Sequence, residues 1–211
     1  MDQLRSPGGC DWDAVQTHES LAEYLVEETY ELLEAIDSGD RAHLREELGD
    51  VLLQVVFHCR IAMDDPADPF DIDEVADGIA DKLVRRHPHV FADAQAPQPG
   101  TTLSNWEVVK AAEKGRTAPL DGVPEGMPAL TAIGKIRYRA GVAGLADAVP
   151  APAHAGSDPE EALGDELLNR VLLAAESGMD AERALRGAVR RSRTRVAQAA
   201  AEQVGAEAEA P

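Results

Sequence analysis

Two long segments with the hydrophobic periodicity of α-helices constrain the fold of this chain more than any other feature. The first covers about residues 17–38 and ends at Gly39, and the second covers about residues 41–63 and ends at a stretch rich in Asp and Pro. Apolar residues recur in both at i, i+3, i+4 and i+7, which places them on one face of a helix. Because glycine and proline end helices, we predict two consecutive helices here.

Capping signals predict further helices downstream. Asp71 can cap a third helix, and Ser104 with Glu107 forms a capping box for a fourth. Asp158 followed by Pro159 is a typical helix start, and a last helix, rich in Arg, follows Asp180. The other predicted ranges are 72–86, 104–115, 129–140 and 159–178.

Composition supports the same fold class. Aromatic residues make up only 4% of the chain, whereas Ala, Leu and Glu recur throughout. This usage favours helices over a β-sandwich or a β-barrel. We therefore predict an all-α protein.

The charge balance excludes several kinds of partner. The chain has 39 Asp and Glu against 20 Lys and Arg, a formal net charge of −19, so nucleic acids would be repelled over most of its surface. No long apolar run predicts a signal peptide or a membrane helix. We expect a cytoplasmic protein that binds neither nucleic acid nor membrane.

A zinc site is not expected. His58 next to Cys59 lacks the paired spacing of zinc ligands, and the same holds for His87 and His89. Neither of the two cysteines, Cys10 and Cys59, has a base nearby in sequence that would make it a nucleophile.

Each of the first two helices carries an acidic i, i+3 pair within its apolar face. Glu28 and Glu31 lie among apolar positions of the first helix, and Glu47 and Asp50 lie among those of the second. Burying an ionised carboxylate costs several kcal/mol unless a cation compensates it. A hard divalent cation such as Mg²⁺, with Mn²⁺ as a second possibility, accounts for all four carboxylates.

A solvated acidic surface is the other interpretation of these pairs, because acidic residues at this spacing commonly face water. On that interpretation the chain is a non-catalytic helical module whose acidic face binds a partner. Further carboxylates flank the pairs at Glu27, Glu34 and Glu46.

Several motifs in these helices resemble the MazG family of nucleoside triphosphate pyrophosphohydrolases. EETYE at 27–31 and ELGD at 47–50 match the family's EExxE and ExxD pair, and the resemblance is continuous over about residues 4–114. Asp11 departs from the family, which usually has Pro before the Trp. The other matching segments are GCDWD at 9–13, QTHESL at 16–21, VLLQVVFH at 51–58 and RRHPHVF at 85–91.

The resemblance implies a MazG-like four-helix bundle with additional C-terminal helices, and a homodimer. It implies Mg²⁺-dependent hydrolysis of a nucleoside triphosphate to the monophosphate and pyrophosphate. A narrower pyrophosphatase of the same superfamily, acting on dUTP or phosphoribosyl-ATP, is an alternative. The implied catalytic metal ligands are Glu28, Glu31, Glu47 and Asp50, and the implied substrate-binding residues are Lys82, Arg86, Trp106 and Lys110.

Residues 123–211 are predicted to be a degenerate second repeat with a frayed tail, whereas residues 1–122 form the catalytic domain. Family members of the long type carry two repeats. Here Ala162 stands where the second ExxD motif needs its Glu, although Gly164 and Asp165 follow as expected. We therefore predict one intact site per chain.

Overall fold

The structure is a computed structural model that describes residues 1–92, residues 110–149 except 112, and residues 158–208, with side chains through residue 203. The chain forms two compact units, Met1–Pro97 and Gln98–Pro211. The described residues form helices and no strands, which confirms the all-α prediction. The domain boundary at residue 122 stays a prediction.

The first unit is built on two long helices that pack against each other, α3 and α4. A fifth helix, α5, packs on α4. The helices of this unit are α1 (Asp2–Arg5), α2 (Asp11–Ala14), α3 (Ala22–Ser38), α4 (Arg41–Ala62), α5 (Ile72–Arg86) and α6 (Pro88–Phe91). The bounds of α4 and α5 agree with the predicted segments to within one residue.

A tight turn joins α3 to α4 and makes them antiparallel neighbours. Gly39 ends α3 in the left-handed conformation, with a φ of 75°, and its N–H donates to the carbonyl of Ala35. A side chain at this φ would be strained, which explains the glycine. Asp40 then caps α4 by accepting hydrogen bonds from the N–H groups of Ala42 and His43.

Helix α3 begins later than its periodicity predicts. Residues 17–21 form a turn instead of helix, because Thr17 and Ser20 each accept a hydrogen bond from the other's backbone N–H. Hydroxyl side chains of this kind compete with helical hydrogen bonds. The first regular turn therefore starts at Ala22.

The core of the first unit lies between α3 and α4. Leu21, Ala35 and Phe57 are almost fully buried there. Trp12 of α2 packs its ring edgewise against Tyr24 and Phe57. These contacts hold the two long helices, and with them their acidic residues, at a fixed separation.

Among the described residues after 113, the second unit contains three long helices and a short 3₁₀ turn. These are α7 (Ala129–Val142), the 3₁₀ turn Ala146–Ala148, α8 (Pro159–Glu176) and α9 (Ala181–Ala208). Buried Arg139 of α7 donates a hydrogen bond of 2.6 Å to the carbonyl of Asp121 and so fixes the preceding loop. Of the predicted helix 104–115, residues 110, 111 and 113 are described and helical, and residues 114–115 form a turn.

No helix in the described ranges combines the length and the apolarity that crossing a membrane requires.

Candidate metal centre

Three carboxylates from the two long helices converge in the first unit. Glu28 comes from α3, and Glu47 and Asp50 come from α4. One oxygen from each lies within 4.8 Å of the other two. In the described part of the chain this is the one group of three or more His, Cys, Asp and Glu that could hold a metal ion.

The helical hairpin explains why these residues meet. Glu47 and Asp50 are one turn apart on α4, so their side chains project from the same side of that helix. The turn at Gly39 makes α3 run back along α4. Glu28 is thereby brought opposite the α4 pair. The i, i+3 spacing and the hairpin together produce the site.

Glu47 is the most deeply buried of the three, with a relative exposure of 6%. Its Oε1 atom lies 3.0 Å from Nε2 of His43, one turn earlier on α4, and the two groups form an ion pair when the imidazole is protonated. Its Oε2 atom is buried and has no hydrogen-bond partner in the described structure. A buried carboxylate oxygen without a partner is costly, and a cation at this oxygen would remove that cost.

Glu28 shows the mutual repulsion of the cluster. Burial raises the pKa of the Glu28 carboxyl, and the negative charges of Asp50, Glu31, Glu47 and Glu27 raise it further. At an effective dielectric constant of about 20, two unit charges 4.8 Å apart repel by about 3 kcal/mol. A divalent cation between the carboxylates would reverse this effect and favour their ionised forms.

The arrangement fits a hard divalent cation. Mg²⁺ takes oxygen ligands at about 2.1 Å, so two ligand oxygens on opposite sides of it lie about 4.2 Å apart. Only one pair among three ligands can be opposite, and adjacent ligand oxygens lie about 3.0 Å apart, so the spacing of up to 4.8 Å needs side-chain movements of roughly 1 Å. Glu28, Glu47 and Asp50 are the residues that would hold the ion. Mg²⁺ usually keeps several waters, which leaves room for substrate phosphates.

Glu31 lies differently from the other three predicted ligands. We expected Glu31 to belong to a buried stripe, but its side chain is exposed. Its carboxylate is also outside the group of converging oxygens. Helix α3 has α4 as its main packing partner, so one side of α3 is covered and the side that carries Glu31 is open. The charge of Glu31 still contributes to the raised pKa of Glu28. Its role as a ligand stays a prediction.

The predicted substrate-binding residues are placed only in part. Lys82 and Arg86 lie one turn apart on α5, and both are half-buried. Lys110 is half-buried in the second unit. Trp106 lies outside the described residues. The roles of all four residues stay predictions.

His43 is a site residue that the sequence motifs did not reveal. It precedes Glu47 by four residues, a spacing at which helical side chains meet, and this could have signalled the contact. An imidazole in contact with a carboxylate helps to orient it, as partners of metal ligands commonly do.

Comparison with known proteins identifies the family. A family model described as the MazG nucleotide pyrophosphohydrolase domain matches residues 16–91, a range that contains all three converging carboxylates. Together with a relative named MazG that is 42% identical over 79% of its own length, this match shows that the chain belongs to the MazG family of nucleotide pyrophosphohydrolases. It is an enzyme of the hydrolase class that acts on acid anhydrides.

Individual relatives support this assignment. An uncharacterized 26.1 kDa protein of Streptomyces cacaoi is 48% identical over 89% of this chain and 74% of its own length. The nucleoside triphosphate pyrophosphohydrolase/pyrophosphatase MazG of Thermotoga maritima is 42% identical over 90% of this chain and 79% of its own. The nucleoside triphosphate pyrophosphohydrolase of Mycobacterium tuberculosis is 45% identical over 90% of this chain, which spans about half (52%) of that relative.

Proposed function

We propose that the chain hydrolyses nucleoside triphosphates to nucleoside monophosphates and pyrophosphate in a reaction that depends on Mg²⁺. The observation that carries this proposal is the unpartnered Oε2 atom of buried Glu47 within a cluster of three carboxylates. Such a cluster is expensive to fold without a cation, and its oxygen ligands suit Mg²⁺. The names of the relatives from Thermotoga maritima and Mycobacterium tuberculosis supply the substrate class.

The roles proposed for the carboxylates follow from their positions. Glu28, Glu47 and Asp50 hold the cation, and exposed Glu31 completes the set from the open side of α3. When bound, the cation neutralises phosphate oxygens and lowers the pKa of a coordinated water. His43 keeps Glu47 in position through its 3.0 Å contact with the carboxylate.

Cationic side chains serve the leaving group in this proposal. Lys82 and Arg86 are on one side of α5, near its C-terminal end, with their long stems partly exposed. They contact the phosphates of the substrate and stabilise the negative charge that develops on pyrophosphate. Trp106 stacks on the nucleobase, and Lys110 binds on the substrate side.

The reaction itself needs no covalent intermediate. Water attacks the α-phosphorus, a new P–O bond forms, and the bond from the α-phosphorus to the bridging oxygen breaks. Pyrophosphate takes the electron pair of the broken bond, and a carboxylate of the site accepts the proton of the water.

Product analysis tests this proposal. The purified chain is incubated with each common NTP and dNTP, with and without Mg²⁺, in water enriched in ¹⁸O. We expect monophosphate and pyrophosphate to appear only with Mg²⁺, with the ¹⁸O in the monophosphate. Glu47→Ala should abolish both products. Label in pyrophosphate would refute attack at the α-phosphorus, and no turnover by folded wild type would refute the enzymatic proposal in favour of a helical interaction module.

The same panel addresses the narrower alternatives. Exclusive turnover of dUTP, or of phosphoribosyl-ATP when that compound is added, would assign the chain to a more specialised pyrophosphatase. We propose instead that several nucleotides are hydrolysed, by a cytoplasmic homodimer.

A further inference from the structure

Gln54 is a buried polar residue of α4 that neither the core nor the three carboxylates explain. Its relative exposure is 5%, which is close to that of Glu47. The oxygen of its side-chain amide is buried and has no hydrogen-bond partner in the described parts of the chain. An unsatisfied buried oxygen of this kind destabilises a folded protein.

Stability alone would favour an apolar residue at this position. Apolar Phe57 and Cys59 are buried nearby on the same helix, and a Met or Leu at position 54 would fill a similar volume without an unpaired oxygen. The amide therefore needs an explanation outside packing.

The position of Gln54 connects it to the carboxylates. Glu47, Asp50 and Gln54 are spaced i, i+3 and i+7, so they lie along one side of α4. Side chains on a helix tilt toward its N-terminus. From this general geometry we expect the amide of Gln54 to lean toward the turn that carries Asp50, whose carboxylate is one of the three that converge.

The chemistry of an amide oxygen fits one specific task there. Mg²⁺ and Mn²⁺ keep part of their hydration shell in protein sites, and those waters need hydrogen-bond acceptors. An amide oxygen accepts such a bond without adding a fourth negative charge beside the three converging carboxylates.

We infer that the side-chain amide of Gln54 is part of the cation site, where its oxygen accepts a hydrogen bond from the hydration shell of the divalent ion. This inference rests on the proposed function, because it takes the three carboxylates as the ligands of the ion. Gln54 acts through the water and is therefore a positioning residue.

Cation affinity and fold stability, measured separately, test the inference. Gln54→Met keeps the length of the side chain and removes the amide, whereas Gln54→Asn keeps the amide and withdraws it by one methylene. We expect both variants to bind Mn²⁺ about tenfold more weakly than wild type, as measured by electron paramagnetic resonance without nucleotide. Urea unfolding in EDTA should show Gln54→Met at least as stable as wild type, because no unpaired oxygen remains.

Gln16→Met is the matched control. The amide of Gln16 is satisfied, since it donates 2.9 Å to the carbonyl of Trp12 and accepts 2.6 Å from the hydroxyl of Ser20. Its replacement should lower stability and leave Mn²⁺ affinity unchanged, the opposite pattern to Gln54→Met.

Wild-type Mn²⁺ affinity in a folded Gln54→Met protein would overturn the inference. If that variant does not fold, wild-type affinity in Gln54→Asn would overturn it equally. The proposed function is tested separately, by nucleotide turnover of the wild type. If the wild type hydrolyses no nucleotide but binds Mn²⁺, and this binding is weakened by substitution of either Glu47 or Gln54, the proposed function is refuted and the role of Gln54 is supported. Absent Mn²⁺ binding by wild type would overturn the inference as well.

Discussion

Glu47 is a buried carboxylate whose two oxygens have different surroundings. One is held by His43 and the other has no partner in the described structure, while Glu28 and Asp50 approach within 4.8 Å. Without a cation this arrangement destabilises the folded state. With a cation, the same oxygens are already close enough together to act as ligands. We therefore propose that Glu47 is present to bind a cation and not to stabilise the fold.

Glu47→Gln separates these two effects. The amide keeps the shape of the side chain and removes one negative charge, so the free energy of unfolding measured by urea in EDTA should rise by about 1 kcal/mol. Pyrophosphate release with Mg²⁺ should fall at least about 100-fold, because a metal supplies several kcal/mol of transition-state stabilisation. A variant that is less stable in EDTA and fully active would contradict this interpretation of Glu47.

His43 is expected to act by holding Glu47 in place. His43→Ala removes the 3.0 Å contact with the Oε1 atom of Glu47, and we expect about tenfold weaker Mn²⁺ binding by calorimetry. His43→Gln retains a donor at the same helical position and should restore part of the affinity. Equal affinity in wild type and His43→Ala would show that Glu47 needs no such support.

The helices show which parts of the structure the sequence could predict. Helix α5 has the bounds that its cap and the following proline indicate, since Asp71 and Glu74 form a capping box at its start. Helix α3 begins later than predicted because the hydroxyl groups of Thr17 and Ser20 make a turn, a local competition that hydrophobic periodicity does not register.

The site was predictable to a similar degree. Three of the four expected ligands, Glu28, Glu47 and Asp50, lie together. The i, i+3 spacing on α4 and the turn between the two helices, both visible in the sequence, account for this. The exposure of Glu31 was not predictable, because it depends on how much of α3 its neighbours cover. Gln54 gave no signal in the sequence, since its unpaired oxygen is a property of packing.

A pair of histidines links the turn before α3 to α4. The Nδ1 atoms of His18 and His58 are 2.7 Å apart, with ring planes within 9° of each other. One Nδ1 must donate and the other accept, so the contact tolerates one proton between them and not two. Burial, and then the charge of His18, lowers the pKa of His58 from its ordinary value of 6.5.

This pair predicts a loss of stability in acid. Because the fold disfavours protonated His58, the unfolded chain binds more protons as pH falls below about 6.5. The contribution of neutral His58 to the free energy of unfolding is fully present above that pH. It is lost below it, by at most about 1.4 kcal/mol per pH unit for one proton. Between pH 7.5 and pH 5.5, the free energy of unfolding measured in urea should fall less for His58→Gln than for wild type. The control His89→Gln should behave as wild type, and an unchanged loss in His58→Gln would contradict the prediction.

On the surface of the molecule, α5 presents an apolar stripe that the described structure leaves partly open. Each of the four large apolar residues that form this stripe is more than a third exposed. These residues are Ile72, Val75, Ile79 and Leu83. In the proposed homodimer, a second copy of the chain would pack against this stripe and bury it.

Light scattering coupled to size exclusion tests the homodimer. We expect the mass of a dimer for wild type and of a monomer for Ile79→Asp, because the new carboxylate would be buried in the interface. Asp77→Asn lies on the same helix outside the stripe and should remain dimeric. A monomeric wild type at micromolar concentration would contradict the proposed assembly.

The position of a bound cation tests the proposed metal centre without any assumption about the substrate. Crystals of the protein grown with Mn²⁺ and measured at an X-ray energy above the manganese edge would locate the ion by its anomalous scattering. We predict a peak within about 2.0–2.5 Å of carboxylate oxygens of Glu28, Glu47 and Asp50. The same map would show whether Glu31 turns inward as a fourth ligand. No peak among these carboxylates, or one bound elsewhere, would contradict a metal centre at this site.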